Sequence, residues 1–109
     1  VTEEGEIQKA VFAHLKDRGA PGVVFWHCPN DKAARRKSGF RAGVSDVNAV
    51  HRGKFYAVEL KKAKGGVPSE DQLEFVSDIN AAGGYAVVAE GLPQALACLE
   101  AWGLIRKAA

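Results

Sequence analysis

The sequence predicts a single-domain α/β sandwich over residues 1–109, a small mixed sheet flanked by helices. Three observations carry this. Apolar residues recur at helical spacing in three segments. Short β-branched and aromatic runs lie between those segments. The order read along the chain is helix, three strands, helix, strand, helix. The 109 residues suffice for one core, and 47% hydrophobic with 26% charged residues is too apolar for a disordered chain. No apolar run approaches the roughly 18 residues of a membrane span, so no membrane partner is expected. Cys28 and Cys98 allow one disulfide at most and are expected as buried free thiols. With no basic-then-apolar leader at the start, the expectation is a cytoplasmic protein.

Residues 2–18 place Ile7, Val11, Phe12 and Leu15 on one helical face, with Thr2 as N-cap and Gly19 past the end. Residues 23–26 follow a Pro21-Gly22 turn and read as a short buried strand with Trp26 in the core. Residues 29–43 are polar and basic without periodicity, a loop of a length that is usually functional or disordered. Residues 44–50 and 54–61 are strand-like on either side of Arg52-Gly53, which reads as a β-hairpin. Gly65-Gly66 marks a flexible connection. A helix follows over 69–82, with Leu73, Phe75, Val76 and Ile79 for packing and Gly83 to stop it. A buried strand over 85–89 and a helix over 92–102, with Trp102 in the core, complete the order.

Charge is unevenly distributed. Residues 31–64 hold ten Lys/Arg against three Asp/Glu, a local +7, between blocks of −1 (residues 1–30) and −4 (residues 65–109) that bring the chain to +2. A basic middle suggests a polyanion on one surface, although a solvated lysine-rich loop gives the same pattern.

The hairpin concentrates chemistry. If Arg52-Gly53 is a two-residue turn, His51 pairs with Lys54 and Asp46 falls opposite Glu59. Lys61 shares the Glu59 face, because side chains alternate along a strand. Opposed residues have Cβ atoms roughly 4.5–5.5 Å apart, and like charges there destabilise the pair unless something compensates. A divalent cation that prefers oxygen ligands would compensate, since Mg²⁺ sites use one or two carboxylates with water and phosphate. A three-residue loop with Gly53 in a bulge would instead turn Glu59 to the other face.

Gly43-Val44-Ser45-Asp46, then Tyr56-Ala57-Val58-Glu59-Leu60-Lys61, then Gln72, resembles the VRR-NUC branch of the PD-(D/E)XK nuclease superfamily. The resemblance extends to the glutamate-rich start of the first helix before Ile7-Gln8 and to Gly83-Gly84 with the small-residue strand after it. One departure is Ser45, where the family usually has proline. The resemblance implies a restriction-endonuclease-like αβββαβα core. It implies that Asp46, Glu59 and the Leu60 carbonyl hold Mg²⁺ or Mn²⁺, and that Lys61 orients the attacking water and neutralises charge on the phosphorane. Gln72 would face the metal site, and Glu4, or else Glu6, would support the metal or the lysine.

By the same resemblance the substrate is DNA, most readily branched DNA such as a four-way junction, cut to 5′-phosphate and 3′-hydroxyl ends. The protein would act as a homodimer of phage or bacterial origin. Lys32, Arg35, Arg36, Lys37 and Arg41 in the loop before Asp46, with Lys62 and Lys64 beyond the catalytic strand, are candidate phosphate contacts. His27 and Asn30 would flank the active site or the DNA path. Zinc at His27 and Cys28 lacks a second ligand pair.

Structural explanations stand beside several of these roles. Ser69 to Gln72 forms a capping-box pattern, and acidic residues in a first helical turn favour the macrodipole. Asp46 and Glu59 have no such explanation. Two other functions fit the sequence: a catalytically silent nucleic-acid-binding module of the same fold, and a protein whose carboxylate–lysine cluster is only a salt-bridge network.

Overall fold

The computed structural model describes residues 3–29, 39 and 41–108. In chain order the elements are α1 (Glu3–Arg18), β1 (Val24–His27), β2 (Val47–His51), β3 (Lys54–Lys61), α2 (Glu70–Ala81), β4 (Tyr85–Glu90) and α3 (Gly91–Ala101). The strands form one open sheet in the order β1-β2-β3-β4. β1, β2 and β3 pair antiparallel, whereas β4 runs parallel to β3. A parallel neighbour needs a crossover, and α2 supplies it.

Residue alternation divides the sheet between two cores. Val47, Ala49, Tyr56, Val58 and Leu60 face α1 and α3, where Ile7, Val11 and Leu15 meet Ala95 and Leu99. The intervening Ala57, with Ala86 of β4, lies against Phe75 of α2. Two alanines at that position let the helix approach closely. On the α2 side of β3, Ala57 is followed by Glu59 and Lys61, so the apolar core gives way to charge toward one end of the strand.

The turn between β2 and β3 is two residues long, with Arg52 at φ 52° and Gly53 at φ 78°. Both values are left-handed, as a type I′ hairpin requires. The register follows: His51 pairs with Lys54 and Val47 with Val58, which excludes the bulged alternative.

Several details differ from the sequence expectation. β1 is not buried, since Val24 is 60% and Trp26 43% exposed. Helix α2 packs over β3 and β4 and leaves Trp26 and Val50, on that face of the β1–β2 half, substantially exposed, so Trp26 is not a core residue. Leu73 is half exposed on the outer side of α2. Trp102 packs on the main core against Tyr56. Cys28 and Cys98 are unpaired and only half-buried. Thr2, the expected N-cap of α1, lies outside the described residues, as does most of the basic loop.

Candidate active site

The hairpin ladder ends at Val47–Val58. Asp46, one residue before it, makes no further ladder pair; its carboxylate Oδ2 accepts the Leu60 N–H at 2.9 Å. The side chain is thereby tied across to β3 beside Glu59, at the position the register predicts.

Glu59 is 2% exposed. Its Oε2 accepts a hydrogen bond from Gln72 Nε2 at 3.0 Å and lies 3.5 Å from Lys61 Nζ. Its Oε1 is buried with no hydrogen-bond partner among the described residues. Burial, then the hydrogen bond and like charge of Asp46, push the Glu59 carboxyl up to about 9, and Lys61 only partly opposes this.

Lys61, itself buried, reaches Glu4 Oε1 at 3.8 Å. Of the two candidate glutamates, Glu4 is the one brought to the lysine, while Glu6 is exposed in the same helical turn. Glu3, which sequence reasoning did not single out, accepts the Ala63 N–H at 2.9 Å and fastens the start of α1 to the chain leaving β3.

Gln72 both caps α2 and contacts Glu59, through different atoms. Its Oε1 accepts from the Ser69 N–H while its own N–H donates to Ser69 Oγ, completing the capping box. Its Nε2 remains free to hold Glu59. The N-terminus of α2 is pressed against the approach to Asp46 at Gly43, where any Cβ would collide with the Asp71 carbonyl.

Asp46, Lys61 and Gln72 border a cleft of about 300 Å³ that Cys28, Arg41 and Gly43 also line. His27 is exposed beside it, with ring Nδ1 2.9 Å from the Asp46 carbonyl oxygen. A carbonyl only accepts, so Nδ1 is the protonated nitrogen. Arg41 lines the cleft but is engaged by α2: its guanidinium bonds Asp78 at 2.6 Å and lies over the Phe75 ring. Lys62 and Lys64 are exposed past the end of β3. Asn30, Lys32, Arg35, Arg36 and Lys37 lie outside the described residues.

Among the described residues, no three His, Cys, Asp or Glu side chains cluster as a metal cage. What is present is a carboxylate pair and the adjacent backbone at Leu60. This suits a hard divalent cation that completes its shell with water or phosphate oxygens better than it suits zinc. The unpartnered Glu59 Oε1 is the group such an ion would satisfy.

Two solved structures share this fold. A VRR_NUC domain protein superposes with a TM-score of 0.79 at 24% identity, over 94% of this chain and 88% of its own. A second VRR_NUC domain gives 0.68 at 23% identity, over 92% of this chain and 97% of its own. No family model and no curated protein matches the sequence. The chain therefore has the fold of a VRR-NUC domain, with the small mixed sheet and three helices expected from its sequence.

Proposed function

We propose that this chain is a divalent-metal-dependent endonuclease of the VRR-NUC type that hydrolyses phosphodiester bonds in DNA, with branched substrates such as four-way junctions preferred. The observation that carries the reading is the convergence of Asp46, Glu59 and Lys61 at one end of β3. They stand beside a cleft whose neighbouring segments are rich in Lys and Arg.

Asp46 and Glu59, with the Leu60 carbonyl, are the residues to hold Mg²⁺ or Mn²⁺. The ion, when bound, supplies positive charge to a phosphate oxygen and lowers the pKa of its water. Lys61 is fixed between Glu59 and Glu4, so its ammonium is oriented before substrate arrives. From there it positions the attacking water and opposes negative charge developing on the phosphorane oxygens. Gln72 holds the Glu59 carboxylate in place. The exposed Lys62 and Lys64, with the basic loop before Asp46, supply phosphate contacts that carry no base-reading pattern, which favours recognition of DNA shape. Cutting both strands of a junction takes two such sites and hence a homodimer.

The test is cleavage of labelled four-way junction, flap and linear duplex DNA in Mg²⁺, Mn²⁺ or EDTA, with Lys61→Ala as control. The reading predicts cutting that needs the cation, is lost in the variant and ranks the junction first. Tight binding without cutting under either cation would indicate a silent binding module instead. Neither binding nor any response to cation would reduce the cluster to a salt-bridge network.

A further inference from the structure

We propose that Asn48, assisted by His27, is a positioning residue that locks the two peptide carbonyls at Ser45 and Asp46 and so preforms the cation site. This inference rests on the reading of Asp46 as a metal ligand.

Asn48, the second residue of β2, is 1% exposed. Its Nδ2 donates to the Ser45 carbonyl at 2.8 Å. The His27 ring donates to the next carbonyl, that of Asp46, at 2.9 Å. The Asp46 carboxylate is tied in turn to the Leu60 N–H. The backbone before Asp46, the backbone after it and the side chain itself are thus each held by a different neighbour. All of this occurs just ahead of Val47, where β2 first pairs with strands on both sides. Residues 47–51 need no such help, because ladder bonds already fix them. The two side chains act where the ladder has run out.

The arrangement is unfavourable by packing criteria alone. Asn48 Oδ1 and Ser45 Oγ are both buried without a hydrogen-bond partner among the described residues. A leucine at position 48 would remove the orphaned Oδ1 but leave the buried Ser45 carbonyl without its donor, so what the amide contributes is that one bond and not core filling. Its gain is the fixed position of the carboxylate two residues before it. Partners that orient a metal ligand from behind typically change metal affinity or activity 10–100-fold when removed. Asn48 is also too deeply buried to touch DNA, so any effect of replacing it on cation binding reports position.

The experiment uses the full chain with Asn48→Leu, Asn48→Ala and Asp46→Asn, the alanine variant guarding against overpacking by leucine. Mn²⁺ affinity is measured by calorimetry, and melting temperature and junction binding are measured in EDTA. The proposal predicts Mn²⁺ binding weakened about tenfold or more in both Asn48 variants. It also predicts unchanged junction affinity in EDTA and folded Asn48 variants whose metal-free melting temperature falls by no more than the few degrees that one orphaned carbonyl costs. Mn²⁺ affinity within twofold of the parent in the Asn48 variants, together with its loss in Asp46→Asn, would overturn the clamp alone. Mn²⁺ binding that survives Asp46→Asn would overturn the underlying assignment of Asp46.

Discussion

The two ends of β3 carry the same residue type in opposite circumstances. Lys54, at the turn, is exposed and extends its ammonium over the Tyr85 ring at 5.8 Å. Lys61, about 23 Å further along the strand at roughly 3.3 Å per residue, is buried between Glu59 and Glu4. At the turn end the chain meets solvent, and Arg52 adopts a left-handed conformation. At the other end the Glu59 carboxyl is buried, with Gln72 of α2 donating to it, Glu4 of α1 beside Lys61, and Asp46, just ahead of β2, tied to the neighbouring Leu60 N–H. A lysine on a strand means little by its type. What gives it chemistry is the opposed charge with which it is buried.

The strongest way to break this contrast is to remove each lysine in turn. Lys61→Ala should lower single-turnover cleavage of a labelled junction by about 10²–10³, the usual loss when one preorganised group that stabilises developing charge is removed. Lys54→Ala should leave the rate within about twofold, since an exposed cation on an aromatic face contributes roughly 0.5–1 kcal/mol and only to stability. Comparable losses in both would mean that the two ends serve the substrate alike.

A pH series sharpens the contrast without substrate. The Glu59 carboxyl is raised from 4.5 to about 9 in the folded, metal-free chain. Folding then takes up a proton, so the stabilisation is complete below pH 4.5, declines as pH rises and is gone above about 9. Melting temperature in EDTA should therefore fall between pH 6 and 9. Glu59→Gln should flatten that slope, and Mg²⁺ should raise the curve most at the alkaline end, where the carboxylate is most readily ionised. A slope unchanged by Glu59→Gln would place the titrating group elsewhere.

The smallest effect separates the two tasks of Gln72. Ser69→Ala removes only the cap of α2, worth about 1 kcal/mol, or a fall of about 4 °C in melting temperature for a domain near this size. Gln72→Ala should destabilise by a similar amount and also slow cleavage, because it releases Glu59 as well. Equal cleavage rates in the two variants would reduce Gln72 to a helix cap.

The legible parts of the molecule are those decided by short-range rules. Arg52-Gly53 announces a hairpin and leaves two registers open, and the two-residue turn that forms ends its ladder at Val47–Val58, which puts Asp46 beside Glu59. The pattern of Ser69 and Gln72 announced a helix start, although nothing local indicated that the same glutamine could cap and reach Glu59 together. Trp26 and Leu73 read as core by composition and are substantially exposed, because where α2 lands on the sheet determines which half is covered. Asn48 passed unnoticed for the opposite reason. A polar residue between Val47 and Ala49 draws little attention until burial and its bond to Ser45 are known, although its two-residue offset from Asp46 was a usable signal.

The central claim is that Asp46 and Glu59 together hold a divalent cation. Its most direct test is anomalous diffraction from a crystal of the protein grown with Mn²⁺. The account predicts a single strong peak within coordination distance of both carboxylates and the Leu60 carbonyl, absent from Asp46→Asn crystals. A Mn²⁺-saturated crystal with no peak between those two side chains, or with manganese bound elsewhere, would contradict it.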